Sequence, residues 1–325
     1  FLFYPYSLYL YKAKNEEKLQ QITTGLFSNG IKPFIYSLAH ANADRRQYLW
    51  TTQGDFYTIN IPLYAMAFPN EEMASICYDA SLLSKGILLN IQIMENECVS
   101  KEDDAALKTV LEQKRELENK KNLTAIEKIE LSAINERLTA LASGEASKIQ
   151  KVLSCTWKDV QKKLKDEDVA IEFVSVPSYE KNDMQYCALV LRKDSAYPHL
   201  INLFTESQIT SISPSDYYTT PLLYDIIWKP LEKDLNGIKH IYFSPTGVLH
   251  SMGIEYLYVD ENLNMSQQYI IDRLSSTRLL VNNRRQFGTD IIMYGGVNYE
   301  LGEKNHATNA QQEQLNSEQS SLRAG

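Results

Sequence analysis

Four cysteines (Cys77, Cys98, Cys155 and Cys187) and five histidines are the residues with which this chain could do thiol or metal chemistry. A cysteine nucleophile needs a nearby proton acceptor and donors for an oxyanion. A zinc site needs closely spaced thiolates or imidazoles. The four cysteines are far apart, form no CxxC step and have no adjacent histidine, so they read as reduced thiols in neither a zinc knuckle nor a disulfide framework. Cys187 lies inside YCALVLR, where alternation points it into a core, and Cys77 takes the same small apolar role. Cys98 and Cys155 fall nearer helix ends and are expected to be partly exposed. None of the four reads as a nucleophile.

The histidines divide by position. His199 and His240 open predicted strands and read as surface residues, His40 is helical, and His306 falls in a polar tail. His250 follows a strand and a turn, and its reading is local packing rather than general-base work. Glu172 sits in the apolar run VAIEFVSV. It requires a basic residue or backbone donors, or a raised pKa, unless its face is open to water. Gly295-Gly296 closes a strand, but no GxGxxG or GxxxxGK[ST] pattern accompanies it, so no nucleotide, cofactor or metal site is predicted.

The elements that must position these residues follow from composition and pattern. The 325 residues carry 33 Lys and Arg against 41 Asp and Glu, a net charge of −8, which argues against nucleic acid or an anionic membrane as partner. Hydrophobic residues at 44% and charged residues at 23% fit a globular chain of about two domains. The opening FLFYPYSLYLYKAKN is aromatic, but it is short, holds Pro5 and lacks a basic leader. It reads as neither a membrane span nor a secretory signal, and rather as the cut edge of a longer, cytoplasmic polypeptide.

Residues 1–166 read as helices. Asn70 caps a predicted helix running to about Leu89, with Met73, Ile76, Cys77, Ala80, Leu83 and Ile87 on one stripe. Residues 100–142 read as an antiparallel coiled hairpin ended by Gly144. In its second arm Thr124 and Glu127 form a capping box, and Leu131, Ile134, Leu138 and Leu141 form a seam facing Leu107, Val110, Leu111 and Leu117. A third helix is predicted over Ala146 to Lys165. Residues 167–296 then alternate strands with helical segments: VAIEFVSV, YCALVLR, HLINLF, a helix candidate from Ser215 to Asn236 broken by Pro221 and Pro230, HIYFS, YIIDRLS, a turn of helix over Thr277 to Asn283, and DIIMYGG. Residues 297–325 are too polar to bury much surface and read as a mobile tail or inter-subunit loop. The fold class expected is therefore α followed by α/β.

The most informative run is Ile241 to Leu257, a strand followed by Ser244-Pro245-Thr246-Gly247, a short strand through His250, and a helical turn. Ser, Pro and Gly at the first, second and fourth positions suit a β-turn. This run resembles the strand-turn-helix signature of CHAT domains, caspase-like modules commonly joined to tetratricopeptide repeats. Cys77 to Leu89 is similar to the helix preceding such domains. Thr156 to Val160 with Ala170 to Phe173 looks like their first strand, and Arg273 to Thr277 resembles a later strand-to-helix step. Gly253 departs from the family, which often has proline there.

The resemblance implies that residues 167–296 form the first, pseudo-catalytic half of a caspase-like sheet. In CHAT peptidases the catalytic pair lies in a His-Gly and an Ala-Cys step downstream of these segments, and this sequence contains neither step. The chain is thus expected to be the non-catalytic part of a cysteine peptidase. Its partners would be the catalytic remainder of the same protein and a protein or peptide regulator or substrate. Arg323, in the small-residue run Ser320 to Gly325, is a possible processing site. The competing reading is a catalytically inactive CHAT scaffold. A small-molecule enzyme would need a convergent polar pocket that the sequence does not offer.

Overall fold

The computed structural model describes residues 3–101, 105–120, 122–141, 146–178 and 182–282. Helices come first: α1 (Phe3–Lys12), α2 (Glu16–His40), α3 (Ala43–Asp55), a π turn over Phe56–Asn60, α4 (Ile61–Ala67), α5 (Glu71–Ser84), α6 (Ile87–Lys101), α7 (Ala105–Glu118), α8 (Ala125–Leu141), α9 (Ala146–Leu153) and α10 (Trp157–Gln161). Strands β1 (Asp168–Ser178), β2 (Asp183–Arg192), β3 (His199–Thr205), β4 (His240–Ser244) and β5 (Ile270–Arg273) follow, separated after β3 by short helices. The fold class is α followed by α/β, as the patterning implies.

Local chemistry explains where the helices begin and end. Asn70 accepts from the Met73 N–H at 2.9 Å, capping α5 as its side chain predicts. The helix does not reach Leu89, however. It stops at Lys85, and Gly86 adopts φ +65° before α6 begins, a conformation in which any Cβ is strained. The helix expected over Ala146 to Lys165 is likewise two helices. Thr156 and Asp159 form a capping box that starts α10 afresh. The α7/α8 hairpin forms, with Val110 and Leu117 buried and Leu131 and Ile134 half-buried. The side chains of Leu107, Leu111, Leu138 and Leu141, and Gly144 itself, lie outside the described residues.

The sheet order is β3-β2-β1-β4-β5. The first three strands form an antiparallel meander, and β4 and β5 run parallel to β1. Alternation along β1 sorts its side chains by face. Val169, Ile171 and Phe173 point to a core shared with Tyr186, Ala188 and Val190 of β2, Ile241 and Phe243 of β4, and Trp228. Ala170, Val174 and Val176 point the other way, with Cys187, Leu189 and Leu191, into a core shared with α2, α5 and α9. The sheet is therefore a middle layer, with the N-terminal helices on one face and the segments after β3 and β4 on the other. Pro221 and Pro230 break the expected 215–236 helix into Leu222–Ile227, a 3₁₀ turn at Lys229–Leu231 and Glu232–Leu235. DIIMYGG, the tail from 297 and Arg323 lie outside the described residues. No helix among those described is long and apolar enough to cross a membrane.

Candidate functional site

Glu172 has no solvent exposure, although its strand neighbours are apolar. Alternation turns it toward the helical layer, where donors from three parts of the chain meet it. Lys85 Nζ stands 2.7 Å and Ser81 Oγ 3.1 Å from Oε2. The Thr277 N–H at 2.6 Å, the Thr277 hydroxyl at 2.7 Å and the Ser276 hydroxyl at 3.2 Å donate to Oε1. Because the Thr277 hydroxyl donates to the carboxylate, the Tyr78 hydroxyl 2.9 Å away must donate to Thr277. Burial alone would push this carboxyl up. The Lys85 ammonium and the Thr277 donors outweigh burial and hold it below the usual carboxylate range.

Two further groups complete the knot. Lys85 also donates to the Ser244 carbonyl at 2.9 Å and the Ser244 hydroxyl at 2.8 Å, and that hydroxyl donates to the Ser275 carbonyl at 3.0 Å. Ser244 and Glu172 are register partners on β4 and β1, so one ammonium bridges neighbouring strands. Arg278 is buried, and its guanidinium donates to the Leu82 carbonyl and, at 3.2 Å, to the Lys85 carbonyl. It thus satisfies acceptors that a helix end leaves open, where the helix dipole favours a cation. The residues following β5 are in this way stitched to the C-terminus of α5.

The signature turn takes a different form from the β-turn and short strand expected. Thr246 is extended, and Gly247–Ser251 forms a 3₁₀ helix, followed by another at Ile254–Tyr256. Gly247 has φ +50°, and a Cβ there would collide with the Tyr186 hydroxyl. That hydroxyl accepts from the Val248 N–H at 3.0 Å and donates to Glu206. Glycine is therefore required at 247 by both backbone and space. Pro245 is buried and His250 is exposed. Partial desolvation of its ring, and the positive charges of Lys85 and Arg273, lower the His250 pKa. Arg273 is itself occupied by Glu255, at 2.6 and 3.1 Å, and by the Leu249 and Met252 carbonyls.

The thiols are not activated. Cys77, Cys155 and Cys187 are free and buried, which corrects the partial exposure expected for Cys155. Burial raises all three pKa values, that of Cys155 to about 12, so each stays a neutral thiol at pH 7. The Cys98 side chain lies outside the described residues. His199 and His240 face Asp234 and Asp272 at 2.7 and 2.8 Å near the surface, His40 ends α2, and His306 and Gly295-Gly296 lie outside the described residues. No group of three metal-ligating side chains is found among the described residues.

Sequence reasoning identified Glu172 as a carboxylate in need of partners but did not find Lys85, Ser81, Ser276, Thr277 or Arg278. The available signals were weak: a Lys-Gly step interrupting an apolar helix, and a Ser-Ser-Thr-Arg run after a strand. Comparison of the chain with protein-family models and with curated proteins finds no match to either.

Proposed function

We propose that this chain is the non-catalytic N-terminal part of a CHAT-family, caspase-like cysteine peptidase, working in the cytoplasm, where it supports the catalytic half and docks a regulator or substrate. One observation carries the reading. The segments that resemble CHAT domains are scattered over two hundred residues of sequence, yet they meet at one place. Lys85 comes from the preceding helix, Glu172 from the first strand, Ser244 from the signature turn, and Ser276 and Thr277 from the later strand-to-helix step. The meeting point is the C-terminal end of β4, where its parallel pairing with the middle of β1 stops, and the C-terminal ends of parallel strands are where ligands and catalytic loops gather in α/β sheets.

The chemistry of the described groups supports a bracing role. Lys85, Arg273 and Arg278 are each already held by acceptors, and the described thiols are deeply protonated. The experiment is an assay of this chain and of the complete protein on fluorogenic peptides containing Arg or Asp. Hydrolysis by the complete protein and none by this chain is the expected result. Turnover by this chain alone overturns the reading, and an inactive complete protein selects the scaffold instead.

A further inference from the structure

The apolar core of the helical layer holds a small polar centre. Ser7 of α1 and Tyr64 of α4 are each 1% exposed, and their hydroxyls lie 2.9 Å apart. The Asn60 amide, 4% exposed at the end of the π turn, donates to the Tyr64 hydroxyl at 3.2 Å. Its other end meets nothing. Among the described residues, Asn60 Oδ1 and Thr24 Oγ1 are buried side-chain oxygens without a hydrogen-bond partner. Reversing the Asn60 amide changes which of its atoms is bare and still leaves one end bare. A polar group hydrated in the unfolded chain and paired with nothing in the folded one is a loss that native structures rarely accept.

Position along the helices brings the two bare oxygens together. Gln20, Thr24 and Phe27 follow one another at i, i+4 and i+7 on a single stripe of α2. At either end of that stripe the partners are fixed: Asn70 donates to Gln20 at 3.1 Å, and the Phe27 and Tyr57 rings meet edge to face at 6.3 Å. Asn60 lies in the chain between Tyr57 and Asn70, as Thr24 lies between Phe27 and Gln20, which sets the two opposite each other. They make no direct bond. The π turn accounts for the spacing, since the Ile61 N–H reaches back to the Phe56 carbonyl and so widens the helix at Asn60. A hydroxyl and an amide carry no charge, so an ion between them would be buried uncompensated. A neutral guest that both accepts and donates suits them, and water is the smallest. We propose that one buried water molecule bridges α2 to the turn before α4, accepting from the Thr24 hydroxyl and donating to Asn60 Oδ1. The site belongs to the helical layer and stands or falls apart from the peptidase reading.

The test turns on the sign of one substitution in the full 325-residue chain. Thr24→Val nearly keeps the shape of the side chain and removes its hydroxyl. With the bridge in place the water loses a partner, and the folding equilibrium constant from urea denaturation falls about tenfold. A hydroxyl with no partner gives the opposite sign, because valine then removes a buried polar group that nothing satisfied. In an Asn60→Leu background the water has already lost its other anchor, so Thr24→Val is expected to cost nothing there. A crystal structure of the native chain gives the direct reading: one ordered water within about 3 Å of both Thr24 Oγ1 and Asn60 Oδ1, gone in Thr24→Val. A more stable Thr24→Val, an equal loss in both backgrounds, or a crystal structure in which the two oxygens are met by other groups overturns the proposal.

Discussion

The two faces of β1 are built from alternate residues of one strand and solve opposite problems. On one, Phe173, Trp228 and Phe243 meet edge to face with ring centroids 5.8 to 6.2 Å apart, and the single polar atom of Trp228 is met by the Ile254 carbonyl at 2.8 Å. That face is dry, and its contribution scales with buried apolar area. On the other, Glu172 and Lys85 are paired at 2.7 Å among hydroxyls. A buried ion pair adds little net stability relative to apolar residues of the same size, but losing half of it costs much. The apolar face thus supplies cohesion and tolerates adjustment, while the polar face dictates which segments sit where.

The difference can be broken most severely at Lys85. Lys85→Met leaves Glu172 buried without its cation and is expected to cost about 3–5 kcal/mol by urea denaturation at pH 7, with Lys85→Met/Glu172→Leu recovering most of the loss. The pH dependence should change sign with it. In the native protein the Glu172 carboxyl is held below its unfolded value of about 4.3, so its contribution is full above that pH and is lost as pH falls through the folded pKa. Without Lys85, burial dominates, the pKa rises, and the variant gains stability on acidification. If both proteins respond to pH alike, the polar face has been misjudged.

Next in size is Gly247→Ala, expected to cost about 1–3 kcal/mol because the residue has φ +50° and its Cβ would meet Tyr186. Thermal unfolding would reveal it, and an unaffected midpoint would show that the signature turn relaxes freely. On the dry face, Ile171→Val should cost about 0.5–1.5 kcal/mol with no pH dependence, since only a methylene is lost. The effect at Asp79 is set apart by its dependence on pH. It accepts from the Trp157 N–H at 2.6 Å, and burial, with Asp159 nearby, raises its pKa to about 7. An Asp with a raised pKa is destabilising when ionised, so Asp79→Asn should be more stable than the native protein at pH 8, with the gain vanishing by pH 4.

The dry face was legible because its information is local. VAIEFVSV, YCALVLR and HIYFS announce strands by β-branched and aromatic alternation, and the same alternation assigns Phe173 and Ile171 to one side. The caps at Asn70 and Thr124 and the breaks at Pro221 and Pro230 were readable for the same reason. Thr156-x-x-Asp159 could have been read as a fresh helix start, and Gly86 as a break, but an apolar stripe running through each masked them. The polar knot was illegible because Glu172 finds its donors 91 positions upstream and 105 downstream, and no periodicity within one element reports such a pairing.

The stitch between Arg278 and the end of α5 has a consequence for biosynthesis. Tyr78 and Thr277 are 199 positions apart, so the growing polypeptide exposes Glu172 and Lys85 long before their last partners leave the ribosome. Until then the helical layer meets the nascent sheet through its apolar core and the Lys85 and Ser81 contacts to Glu172, without the closing Thr277 and Arg278 bonds. Distant closure of this kind slows maturation and prolongs the life of species with bare apolar surface, so the chain should depend on chaperones during synthesis far more than its finished form would suggest.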